Sequence, residues 1–157
     1  MIEMEKELFN ACQGGKAEEV RRLLQNPQIN TNWENEDDNN STPFWIACER
    51  GQTEVVKLLL NDQKVDVNKT NGYDQTPFYV ACFYGHIEIV KLLLNDKRID
   101  INQADKYRQT PLWIACCYER IEIVKLLLND ERVDINENWQ GKNDRTPFFY
   151  CLSKRTC

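Results

Sequence analysis

Histidine is almost missing from this chain: His86 is the only one among 157 residues. With one histidine and no Cys-x-x-Cys pair, a Cys/His zinc set is excluded despite seven cysteines. No apolar run approaches the ~18 residues that a membrane span needs. The N-terminal MIEMEKELFN is acidic and amphipathic, so it does not read as a secretory signal. A basic surplus is also missing. The formal net charge of −5 argues against a general nucleic-acid binder. There is no phosphate-cradling glycine loop, no HExxH and no serine elbow. His86 has no recurring nucleophile beside it and reads as a turn and capping residue. The expectation is therefore no enzyme, no cofactor and no metal.

What the chain has in abundance is itself. STPFWIACERGQTEVVKLLLNDQKVDVN, from Ser41, recurs as QTPFYVACFYGHIEIVKLLLNDKRIDIN from Gln75 and QTPLWIACCYERIEIVKLLLNDERVDIN from Gln109. Thr42, Thr76 and Thr110 stand 34 residues apart, and Thr146 opens a fourth copy after 36. Each copy predicts a tip, a short helix, a tight turn, a second helix and a loop. Threonine is a good N-cap, and the proline after it has no amide to leave unpaired. Gly51 and Gly85 let the chain reverse. The pairs Glu54/Lys57, Glu88/Lys91 and Glu122/Lys125 belong to a solvated outer face. Such a unit cannot bury its apolar side alone, so copies stack into a solenoid.

The N-terminal segment is a diverged first copy. Ala11-Cys12 falls on Ala47-Cys48, and Glu5, Lys6 and Glu7 are expected to meet water as a capping repeat requires. The repeat also explains most cysteines. Cys12, Cys48, Cys82 and Cys116 share one small buried position, and Cys151 aligns with alanines. Equivalent positions about 10 Å apart cannot be bridged, so all seven thiols are expected to be free in a reducing, intracellular and cytoplasmic setting.

A period near 33 with Thr-Pro opening a helix pair resembles the ankyrin repeat, and the resemblance covers the whole chain. It implies an all-α solenoid with projecting β-turn tips and a concave face that binds another protein. The expected divisions are a capping repeat over 1–36, full repeats over 37–70, 71–104 and 105–140, and a partial repeat over 141–157. Three departures stand out. Where the family has a histidine, this chain has Trp45, Tyr79, Trp113 and Phe149, which removes the polar bridge and leaves an aromatic ladder expected to stack between repeats as core, the alternative being a partly exposed strip at the base of the groove. Asn61, Asn95 and Asn129 replace the glycine that stops the second helix, in a left-handed conformation. Glu119-Arg120 stands where other copies begin with glycine, so that turn either changes shape or carries strain. Equivalent loop asparagines in the family can be hydroxylated, which makes Asn68, Asn102 and Asn136 modification candidates.

Partner specificity should reside in what the copies do not share. Those positions are the helix-end pairs Glu49-Arg50, Phe83-Tyr84 and Cys117-Tyr118, and the tip residues Tyr73, Gln75, Lys106, Tyr107 and Arg108. Phe83, Tyr84, Tyr107 and Tyr118 are expected to form one partly exposed patch. Trp33 and Trp139 occupy longer tips, and Glu34, Glu36, Asp37 and Asp38 make the first tip acidic while Lys106, Arg108, Lys142 and Arg145 shift later tips toward basic. The partner is expected to be a protein, without nucleic acid or membrane insertion. Two alternatives stay open: the targeting region of a larger enzyme or effector cut at its C-terminus, and a spacer that self-associates weakly through its C-terminal end. In both, Leu126, Leu127 and Leu128 are left poorly covered.

Overall fold

The computed structural model describes residues 2–135. Eight helices form four antiparallel pairs among the described residues: α1 (Ile2–Gln13) with α2 (Ala17–Leu24), α3 (Pro43–Glu49) with α4 (Thr53–Leu60), α5 (Pro77–Tyr84) with α6 (Ile87–Leu94), and α7 (Pro111–Cys117) with α8 (Ile121–Leu128). The first helices stack α1–α3–α5–α7, and the second helices stack α2–α4–α6–α8 behind them. The core is one continuous seam between the two rows, from Leu8 to Leu127.

Each first helix starts as the sequence dictates. The Thr42, Thr76 and Thr110 hydroxyls accept from the Trp45, Tyr79 and Trp113 amides at 3.1, 3.0 and 3.2 Å. The prolines that follow sit in the first turn. A cap of this kind contributes about 1 kcal/mol. Ala47, Ala81 and Ala115, with Cys48, Cys82 and Cys116, are buried where first helices approach. The Glu/Lys pairs of α4, α6 and α8 close at 2.6 to 2.8 Å on exposed faces, where each contributes only a few tenths of a kcal/mol.

Several expectations are corrected by the packing. The rings at 45 and 79 are core as expected, but they rebuild the polar bridge. Trp45 Nε1 donates to the Gln75 carbonyl at 2.8 Å, and the Tyr79 hydroxyl reaches Asp105 Oδ2 at 3.1 Å and Gln109 Oε1 at 3.3 Å. Each ring thus ties its own repeat to the opening of the next. Burial and the Asp105 carboxylate hold the Tyr79 phenol well above its ordinary pKa. The asparagines after α4, α6 and α8 are right-handed, with φ of −78°, −78° and −90°. The stop is made by the next residue instead. Asp62, Asp96 and Asp130 accept with their side chains from the amides of Lys64, Arg98 and Arg132, which turns the chain without a left-handed residue.

Glu5 does not meet water. It is buried, one carboxylate oxygen accepts from the Asn30 amide at 3.3 Å, and the other has no partner. Lys6 is exposed as expected. Cys12, Cys48, Cys82 and Cys117 are outside any disulfide, but Cys116 is disulfide-bonded. The spacing argument excluded only cysteines at equivalent positions, and none of those is its partner. Leu127 is fully buried and Leu126 partly so; only Leu128 is exposed, at 43%, where Leu94 is partly covered. Phe149, Asn136, Trp139, Lys142, Arg145, Cys151, Cys157 and the partial repeat opened by Thr146 lie outside the described residues.

The loops are joined by charged clamps. Arg98 Nη2 donates to the Leu60 carbonyl and Arg132 Nη2 to the Leu94 carbonyl, both at 2.7 Å, which satisfies the last turn of the preceding second helix. Hydrogen bonds from the same arginines hold the Asp96 and Asp130 carboxyls below the usual range. A carboxyl depressed in the folded state adds stability that is complete above its unfolded value of about 4 and lost as pH falls through the folded one. Asp96→Asn should therefore flatten the decline of the denaturation midpoint below about pH 4. A decline as steep as the wild type's would show that the ion pair contributes nothing.

Candidate protein-docking surface

Positions shared by the repeats are occupied in holding repeats together. Asn32, Asn68 and Asn102 form a ladder along the loops. Each side-chain oxygen accepts from the backbone amide of Asp66, Asp100 or Asp134 at 2.7, 2.9 and 2.9 Å. Each side-chain amide donates 2.7 Å to the carbonyl of Lys64, Arg98 or Arg132. Asn68 and Asn102, the described modification candidates, are thus clamps on the following repeat.

A second ladder was not legible as a function in the sequence. Gln52, His86 and Arg120 start the second helices but do not cap them with their side chains. Each reaches back over the previous turn and donates to a carbonyl: Gln13 at 3.1 Å, Glu49 at 2.8 Å and Phe83 at 3.0 Å. The only common trait in sequence is a long side chain able to donate. The turn beneath must be bare for this to work. A Cβ on Gly51 would lie 2.7 Å from His86 Cε1, and φ there is +72°. At the last described turn Glu119 keeps the left-handed shape with φ of +56°, so the strain alternative holds and the turn does not change. Gly51→Ala should lower stability by about 1–3 kcal/mol, from the left-handed cost and the displaced ring. Pairing it with His86→Ala should recover part of that loss. Strict additivity in that double-mutant cycle would show that the contact is not what demands glycine.

The unshared positions form two clusters. At the first-helix ends, Phe83 lies 4.8 Å from Tyr84 and 4.4 Å from Tyr118 between ring centroids. Tyr84 stacks on His86 at 6.1 Å and 17°, and its hydroxyl meets Glu49 Oε1 at 3.3 Å. Glu49 in turn pairs with Arg50 at 3.1 Å. Tyr84 and Tyr118 remain 45% and 49% exposed, and Cys117 beside them is half-buried. Exposed rings gathered in this way are uncommon without a partner. Burial against Glu49 raises the Tyr84 phenol above its ordinary pKa, so the ring stays neutral and a hydrogen-bond donor.

Tyr107 belongs to the other cluster, which corrects the expectation of a single four-ring patch. Lys106 Nζ sits 4.0 Å from the Tyr73 ring centroid and 5.2 Å from that of Tyr107. Tip backbones pair across repeats: Gly72 donates to the Asn39 carbonyl at 2.7 Å and Lys106 to the Tyr73 carbonyl at 3.1 Å. Asn71 and Asp105 are buried and fold the tips. Asn71 accepts from the Tyr73 and Gln75 amides, and Asp105 from those of Tyr107 and Gln109. Gln75 is half-buried, with its side chain on Asn71. Arg108 is exposed at φ of +63°. Trp33 packs edge-on against Phe9 at 6.1 Å.

Among the described residues no three His, Cys, Asp or Glu side chains are grouped to hold a metal ion. No described helix is long and apolar enough to cross a membrane. Among curated proteins, none matches the chain significantly. The family model for ankyrin repeats (3 copies) matches residues 8–105, 59–138 and 99–156, nearly the whole sequence. With helix pairs, tips and Thr-Pro caps in register, the chain belongs to the ankyrin repeat family, whose repeats are generally protein–protein interaction modules.

Proposed function

We propose that this chain is a non-enzymatic docking module that holds another protein against its unshared side chains, at the tips and the first-helix ends. The observation that carries this reading is the Phe83–Tyr84–Tyr118 cluster. Tyr84 and Tyr118 both touch Phe83, the rings remain partly exposed, and their positions do not carry one residue type through all the repeats. The contacts of Tyr84 with His86 and Glu49 fix it before any partner arrives, which lowers the entropy lost on binding. Aromatic residues in such a place are typical of binding hot spots, with losses of about 2 kcal/mol or more on truncation. The test is affinity capture from source cells with wild-type and Tyr84→Ser/Tyr118→Ser proteins. Proteins enriched by the wild type should drop by about ten-fold or more with the double variant, at a temperature where thermal unfolding shows both proteins folded. Identical captures would refute the docking role of this cluster.

Self-association through the α8 end is the second reading. It rests on Ile121, Leu128 and Ile135, exposed at 47%, 43% and 46%. Sedimentation of the full chain across a concentration series separates the two, since a docking module stays monomeric.

A further inference from the structure

Building on the docking-module reading, we propose that the edge formed by the three tips takes an extended peptide segment of divided charge, its basic end over the first tip and its acidic end over the third. The tips form one edge because their backbones pair directly, Gly72 to Asn39 and Lys106 to Tyr73. Those amides are consumed between tips, so side chains must do the reading.

The charge on that edge is segregated. On the first tip, Glu34 is neutralised by Lys69 at 2.8 Å and Asp38 accepts from the Ser41 hydroxyl. Glu36 and Asp37 are exposed and make no ion pair among the described residues. Exposed Asp74 carries the acidic character onto the second tip. The third tip reverses sign at exposed Lys106. Lys106 is held between the Tyr73 and Tyr107 rings and makes no ion pair among the described residues. A cation held by two rings keeps its place while its remaining N–H donors face outward. Its complement is a carboxylate. The complement of Glu36 and Asp37 is lysine or arginine. With neighbouring repeats stacked about 10 Å apart, the first and third tips are roughly 20 Å apart. An extended chain rising about 3.3 Å per residue covers that distance in about six residues. Opposed charge of this kind fixes orientation and rejects uniformly charged competitors.

The probes are fluorescein-labelled peptides: three lysines, a neutral spacer of about six residues and three glutamates, and a second peptide of the same composition with the charges alternated. Fluorescence polarisation at low salt should show the block peptide binding the full chain about ten-fold tighter than the alternated one. Glu36→Lys/Asp37→Lys should abolish that preference and strengthen binding of an all-glutamate peptide. Lys106→Glu should weaken the block peptide while the protein stays folded at the assay temperature. Equal affinity for the two peptides, no binding of either, or a preference that survives reversal of the first tip would overturn the charge rule. If cellular capture is still lost in the Tyr84→Ser/Tyr118→Ser protein, the rule alone falls and the docking module stands.

Discussion

Tyr79→Ala should lower the unfolding free energy by about 3–5 kcal/mol, among the largest effects of any single substitution here. The ring is 1% exposed and fills the space between α5 and its neighbours. Tyr79→Phe isolates the hydroxyl. It should cost about 1–3 kcal/mol, because the buried Asp105 carboxylate loses a donor while its other oxygen still holds the third tip. Urea unfolding of the three proteins gives both numbers. A phenylalanine variant as stable as the wild type would mean that the bridge from ring to tip contributes nothing. In that case the aromatic residue acts by volume alone.

Asn68→Ala should cost about 2–3 kcal/mol, since it removes two short hydrogen bonds to the following loop at once. Repeats are coupled mainly to their neighbours, so the damage should be local. The Asp100 amide should lose hydrogen-exchange protection by far more than the Val56 amide, which bonds within its own repeat. Asn68→Asp keeps the acceptor but sets a carboxylate against the Arg98 carbonyl, so it should be no more stable than the alanine variant. Uniform loss of protection along the chain would indicate that the repeats open as one unit and that the clamp is not a local interface.

The repeat frame was legible because it rests on periodic, short-range rules. Thr-Pro at Thr42, Thr76 and Thr110 announces a helix start through capping chemistry alone, and the buried Ala-Cys step follows from the alignment of copies. The candidate surface was legible by subtraction. Residues that do not repeat were free to be exposed, and Phe83, Tyr84 and Tyr118 do meet at one place. Tyr107 groups with the tips and not with the helix-end rings, a distinction that sequence spacing does not carry. That ring is directed by the tip's own turn, held by Asp105, toward Lys106.

By itself the sequence determined the fold class, the helix pairs, the threonine caps of the first helices and the shared buried seam. Each of these depends on residues within one copy, and repetition fixes the rest. Only the tertiary structure decided what passes between copies. Trp45 and Tyr79 hold the next repeat, His86 crosses the bare turn at Gly51, and Asn68 clamps the following loop. Those contacts join residues 26 to 37 positions apart. Their direction is set by how one repeat is stacked on the next, and no local propensity encodes it.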